Sequence, residues 1–366
     1  MQQQITVRSL LAALVAVSFA ATAFAQEPVK DTLPATPRYA RLLPQSRSTA
    51  ASPAAALTTW NGSFVYLGKT YNYNMVGTAP STGASTTVNT FLIPIALSYT
   101  TSGGTTTFSP SHVLSNGQTV IKNTTQSPIF QSGIDFVTGG IDLGNTQYID
   151  AYQRGNFWGQ VQSATGYHLL LGQPRVAPVQ TFNVPAADGS VGIEFGVKVG
   201  LADINWFDAK LQGIITKVKQ IQPNALPIFI TYDVYLTEGG CCIGGYHSSF
   251  ASASGQQAYA HFTYIDQPTF AQDVSALSHE VGEWADDPLV VNLNGNPVKC
   301  GILENGDPEE GFANFGGFPY TLNGFTYNLQ DLVYLPYFGA PASTSANGSL
   351  TFQGNPFHLG ICSNGG

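Results

Sequence analysis

Ser278-His279-Glu280-Val281-Gly282-Glu283-Trp284-Ala285-Asp286-Asp287-Pro288 sets one imidazole and four carboxylates just ahead of a proline. The surrounding text has a helical period over Thr269 to Asp287. Val274, Leu277, Val281 and Trp284 fall on one stripe, and Pro288 stands where a helix must end. That stripe predicts a core role for Val281 and Trp284. On such a helix His279 and Glu283 are one turn apart on the same face, with Asp286 further along it. The acids continue beyond the helix. Of the 22 in the chain, nine lie between Asp273 and Glu310, where Lys299 is the only base. Carboxylates packed this densely repel one another, and taking them out of water is costly. A bound cation is the simplest compensation.

Away from this stretch the chain is poor in charge. Its 366 residues carry 14 Lys and Arg against 22 Asp and Glu, 10% in all, where soluble domains usually carry about 25%. Coiled coils and charged disordered chains are excluded on that ground. A net charge of −8 argues against nucleic acid as a partner, since that affinity rests on clustered Lys and Arg. Its distribution is uneven: residues 201–366 hold 15 acids and 4 bases, and residues 58–200 hold five of each.

Residues 1–25 read as a secretory signal, with Arg8, an apolar run from Leu10 to Ala21 and Ala23-Phe24-Ala25 before Gln26. A secreted or periplasmic location follows, with no membrane span after cleavage. Residues 26–57, rich in Pro, Ala, Ser and Thr, read as a mobile leader or pro-segment. Residues 58–200 read as β-rich, with short apolar or alternating runs parted by Gly, Asn, Ser and Thr. Pro94 inside one run predicts an edge strand or a bulge. A helix is expected over Asn145 to Trp158, with an Asp150–Arg154 ion pair at i,i+4.

Residues 201–366 form the metal-site region. An amphipathic helix is predicted over Asp203 to Lys219, and a buried strand over Pro227 to Leu236. A Cys-Gly loop containing His247 then leads to an edge strand over Ala258 to Ile265, which carries His261. Cys241, Cys242, Cys300 and Cys362 are an even count in an exported chain and predict disulfides. Adjacent cysteines pair poorly, so Cys241 and Cys242 are expected to reach Cys300 and Cys362.

The His279–Glu283 helix resembles the HExxH helix of zinc metallopeptidases, with Glu283 in place of the second His. The resemblance implies His279 and Glu283 as metal ligands and Glu280 as the base that activates water. Glu304-Asn305-Gly306-Asp307-Pro308 begins 25 residues after His279, and gluzincin peptidases place a third Glu ligand at a similar distance. Glu304 is the candidate, with Asp307 as an alternative ligand or a residue supporting the ligands. Asp286 and Asp287 are candidates for holding His279 in its tautomer or for a further cation. His247 is a candidate fourth ligand or transition-state stabiliser. The chain is also similar to secreted bacterial zincin-like proteins with a Ser-His-Glu-x-x-Glu helix ending in Asp-Pro. Cys241-Cys242-Ile243-Gly244-Gly245-Tyr246-His247 and Tyr259-Ala260-His261-Phe262-Thr263-Tyr264 resemble the plant phosphate-induced (EXORDIUM-like) family more faintly.

The expected fold is α+β: a β-rich N-terminal region and a zincin-like C-terminal half with a mixed sheet, a backing helix and an active-site helix. Zinc is the expected metal. Two carboxylates and one His make a harder site than two His and one Glu, which leaves calcium, manganese or iron open. The expected activity is metal-dependent hydrolysis of polypeptides. The alternatives are a non-catalytic protein of the cell surface or matrix, bound to a surface polymer and keeping a structural cation, and a glycoside hydrolase using Glu280 and Glu304.

Overall fold

The computed structural model describes residues 36–41, 56–66, 68–138, 140–290, 303–310, 312, 314–340 and 345–354. The signal segment, most of the leader, Lys299, Cys300 and Cys362 lie outside the described residues.

The fold is α+β, built on a 12-stranded mixed sheet. Along the main path the strands run Gln180–Val184, Ser85–Thr101, Ala225–Tyr232, Gly255–Tyr264, Cys241–Ser252, Val234–Thr237, Val197–Asp203 and Gly189–Glu194. Ala225–Tyr232 is parallel to both neighbours, and all eight of its residues are buried. A strand covered on both faces carries apolar residues without interruption, as Ala-Leu-Pro-Ile-Phe-Ile does here. The sheet draws strands from both sides of residue 200.

Its two faces are covered by different helices. Leu226, Ile228 and Ile230 point into a core shared with Leu277, Val281 and Trp284 of the helix Ser275–Asp286. Phe229, between them, points into the opposite core with Phe207, Leu211 and Ile215 of the helix Ile204–Lys217. Strand side chains alternate between faces, so the helix expected to back the site lies across the sheet from it. That helix begins where Asp203 accepts hydrogen bonds from the Asn205 and Trp206 amides, both at 2.9 Å.

Several expectations need correction. Pro94 lies in Ser85–Thr101, a strand with neighbours on both sides rather than an edge. Pairing with Ala225–Tyr232 ends at Pro94, and on the other side pairing with Gln180–Val184 begins only at Ile95, so the missing N–H falls at the limit of both ladders. The Cys-Gly segment is no loop but the strand Cys241–Ser252, paired antiparallel with Gly255–Tyr264. Its glycines are explained by close approach. A Cβ on Gly244 would sit 2.8 Å from the Phe270 ring, and one on Gly245 2.6 Å from Glu280 Oε1. Gly255–Tyr264 is interior rather than an edge, between Ala225–Tyr232 and Cys241–Ser252, and the latter pairs in turn with Val234–Thr237 and Arg38–Arg41.

Cys241 is bonded to Cys242 itself, across a cis peptide with Cα atoms 3.1 Å apart. The expectation that each would reach a distant partner rested on adjacent cysteines pairing poorly; here the two neighbouring sulfurs are bonded to each other. Asp150 and Arg154 do not pair as expected. Asp150 binds His168 Nδ1 at 2.8 Å and the Leu169 amide at 2.7 Å. Arg154 donates to the carbonyls of Leu143 and Tyr167.

Candidate metal centre

Ser275–Asp286 is buried along its whole length, so its polar face meets protein rather than water. His279 Nε2 lies 3.0 Å from Glu283 Oε1, the one-turn spacing read from sequence. Asp307 Oδ1, arriving from the following loop, is 3.6 Å from the same nitrogen. On the other side of Glu283, its second oxygen lies 3.5 Å from His247 Nδ1, which is also 3.5 Å from Glu280 Oε2.

Two groups of three donors result, His279–Glu283–Asp307 and His247–Glu280–Glu283, with the ligand atoms in each within 4.8 Å of one another. They share Glu283. A third group, Glu194 with Cys241 and Cys242, has its sulfurs committed to the disulfide. The protein thus carries clusters of His, Glu and Asp side chains positioned to chelate a divalent cation. Glu304 is fully buried, and its charge acts on His247 and Asp307. It belongs to neither group, and Asp307 occupies the third position beside His279 and Glu283.

The supporting contacts fix the donors. Gln330 Oε1 lies 2.6 Å from His279 Nδ1. A carbonyl oxygen only accepts, so Nδ1 donates to Gln330, and Nε2 is the nitrogen that faces the two carboxylates, where a cation would take the place of its proton. This is the arrangement by which outer residues orient metal-binding histidines. Gln330 is itself held. Its side-chain nitrogen donates to Phe315 O at 2.9 Å, its amide to Ser278 Oγ at 2.8 Å, and Tyr148 donates to its carbonyl. Asp286 accepts from Tyr152 Oη and Asn305 Nδ2, both at 2.9 Å, and so anchors the loop that brings Asp307 in. Asp287 ends the helix, its amide donating to Glu283 O at 2.6 Å.

Gly306 completes the fit. A Cβ there would lie 2.1 Å from His279 Nδ1 and 2.6 Å from Gln330 Oε1. We expect Gly306→Ala to cost about 1–3 kcal/mol of stability by overpacking, read as a lower denaturation midpoint with an unchanged slope. Gln330→Leu should weaken metal binding about 10- to 100-fold, measured by competition with a chelator of known affinity.

The charge balance points the same way. His247 and His279 are the positive groups acting on the cluster, against Glu280, Glu283, Glu304, Asp307 and Glu310. Burial lowers the His279 pKa, but Glu283 beside it carries it up to about 9. Burial likewise opposes the charged form of His247, and Glu280 and Glu283 lift its pKa well above the ordinary value. Burial pushes Glu280 up to about 7, against the pull of His247. For Glu283 burial is overcome by His279 and His247, which hold it below the usual carboxylate range. Burial, Glu283 and Glu310 raise Asp307. Protons gathered on the imidazoles and carboxylates do here what a divalent cation does with fewer of them. Both Glu280 oxygens are buried without a hydrogen-bond partner, a setting that suits a positive ion.

His261 is on the opposite face from the site. Its ring packs edge-on against Phe207, its Nε2 lies 3.1 Å from Thr231 Oγ1, and burial drives its pKa down to about 3. Val281 and Trp284 are fully buried core residues, as their stripe predicts.

Gln330, Gly306, Asn305 and Tyr39 were not legible as site residues. Tyr39, from the leader, lays its ring on His279 with centroids 3.9 Å apart. Only Gly306 had a signal, as the glycine of Glu-Asn-Gly-Asp. No protein family, curated protein or solved structure matches the chain. No helix among the described residues is long and apolar enough to cross a membrane.

Proposed function

We propose that the chain is an exported, metal-dependent hydrolase of polypeptides with a zincin-like site, in which His279, Glu283 and Asp307 hold the cation. The observation that carries this reading is His279 Nε2, buried, oriented by Gln330 on the ring's other nitrogen and aimed at carboxylates of Glu283 and Asp307 at 3.0 and 3.6 Å. The His279–Glu283–Asp307 group is favoured over the His247 group because Asp307 keeps 27% of its side chain exposed, while His247 and Glu280 have none. A substrate atom needs that opening. Zinc is the first choice, and one imidazole with two carboxylates also suits manganese or iron.

A bound divalent cation supplies Lewis-acid polarisation of a carbonyl and a lowered pKa for water. Glu280 stands one residue after the first ligand, with neither oxygen hydrogen-bonded, and is assigned to take the proton from the attacking water. His247, 3.5 Å from Glu280, keeps the pair charge-balanced and can donate to the developing oxyanion. Cys241–Ser252 supports a polypeptide as substrate, since it takes the short extended segment Arg38–Arg41 as an added parallel strand.

A second reading, a structural cation in a non-catalytic surface protein, is favoured by the burial of His279 and Glu283 at 0% and 2% exposure. Incubation of the purified protein with an unfolded polypeptide, with and without chelator, separates the two. The hydrolase cleaves, stops on chelation and recovers with added zinc. A structural site gives no cleavage in any arm and a lower melting temperature after chelation.

A further inference from the structure

The leader lies in the track that this reading assigns to substrate. Arg38–Arg41 pairs parallel with Cys241–Ser252, setting Arg38 opposite Ile243, Ala40 opposite Tyr246 and Arg41 opposite His247. Ahead of it, the Thr36 amide donates to Cys241 O at 2.7 Å, and the Cys242 amide to Thr36 O at 2.9 Å. The segment is thus an added strand on the outer side of the strand that carries His247.

Tyr39 is its anchor. It is 6% exposed although it belongs to a four-residue strand. Its ring covers the His279 imidazole, tilted by 32°. Its amide donates to Glu310 Oε1 at 2.6 Å, and its hydroxyl to Phe270 O at 2.9 Å. Next to it an open cleft of 420 Å³ is lined by Pro37, Phe195, Phe270 and Phe315. Backbone pairing and a buried aromatic side chain are the elements of strand-addition recognition.

We propose that the outer edge of Cys241–Ser252 is a binding site for an extended polypeptide bearing an aromatic side chain over His279, and that Thr36–Arg41 occupies it in cis and competes there with other chains. The proposal rests on the hydrolase reading only for what the track serves; the docking stands on its own contacts. A tethered occupant competes at an effective concentration of about millimolar, so a free short peptide binds weakly until the leader is weakened, and a polypeptide substrate enters in proportion to its concentration. Asp307 stays reachable to small solutes because part of its side chain is exposed.

The test is binding of a fluorescent synthetic peptide with the sequence of residues 36–41, Thr-Pro-Arg-Tyr-Ala-Arg, to the full chain without metal. Wild type should bind it weakly or not at all. Tyr39→Ala, which loses the anchor, and Thr36→Pro, which loses the amide donated to Cys241, should each bind it at least about tenfold more tightly. A peptide with Ala in place of its Tyr should lose that gain. Circular dichroism and melting confirm that each variant is folded, and either one suffices. Equal binding by wild type and a folded variant, or binding by neither, overturns the proposal. No cleavage is read, so failure of the hydrolase reading leaves this result intact, and failure here leaves hydrolysis to be judged separately.

Discussion

Glu280→Gln is expected to retain its metal and to lose about 100- to 10,000-fold in kcat for polypeptide cleavage, the range attributed to a positioned general base. The substitution keeps the shape of a fully buried side chain that packs against Gly245, so the fold should persist. It leaves His279, Glu283 and Asp307 untouched and removes the only function assigned to Glu280. Metal content by mass spectrometry and single-turnover cleavage check the two halves separately. A variant that loses metal along with activity would make Glu280 a ligand. That would move the ion to the His247–Glu280–Glu283 group, whose donor atoms are also within 4.8 Å of one another.

Glu283→Ala should have the broadest effect. Glu283 belongs to both donor groups, with one oxygen 3.0 Å from His279 and the other 3.5 Å from His247. Its removal should lower metal affinity by more than about 100-fold, beyond what outer contacts contribute, and abolish cleavage. Asp307→Ala should follow it closely. Glu304→Ala should keep most of the affinity, since Glu304 is in neither group. Metal titration of the three variants checks the order. Equal losses for Glu304→Ala and Asp307→Ala would return Glu304 to the position that its spacing from His279 first suggested.

What the sequence made legible was local. The Val274, Leu277, Val281 and Trp284 stripe located the buried helix, and i,i+4 spacing brought His279 and Glu283 together, because helical geometry alone sets both. The acid surplus located the cluster for the same reason: nearby charges in sequence stay near in space. Features that depend on distant pairing were not legible. Gln330 reaches His279 across 51 residues of separation, and Tyr39 reaches Glu310 across 271. The strand Cys241–Ser252 looked like a loop because its glycines serve close contacts with Phe270 and Glu280, which no local pattern reveals. His261 was expected on an edge strand. Alternation puts it on the face opposite Phe262, the face covered by Phe207.

Anomalous diffraction at the zinc edge, on crystals of the full chain grown with zinc, tests the central claim most directly. The account predicts one strong peak about 2.0–2.2 Å from His279 Nε2 and from carboxylate oxygens of Glu283 and Asp307. Crystals with no peak at His279, or with zinc held only by His247 and Glu280, would contradict it.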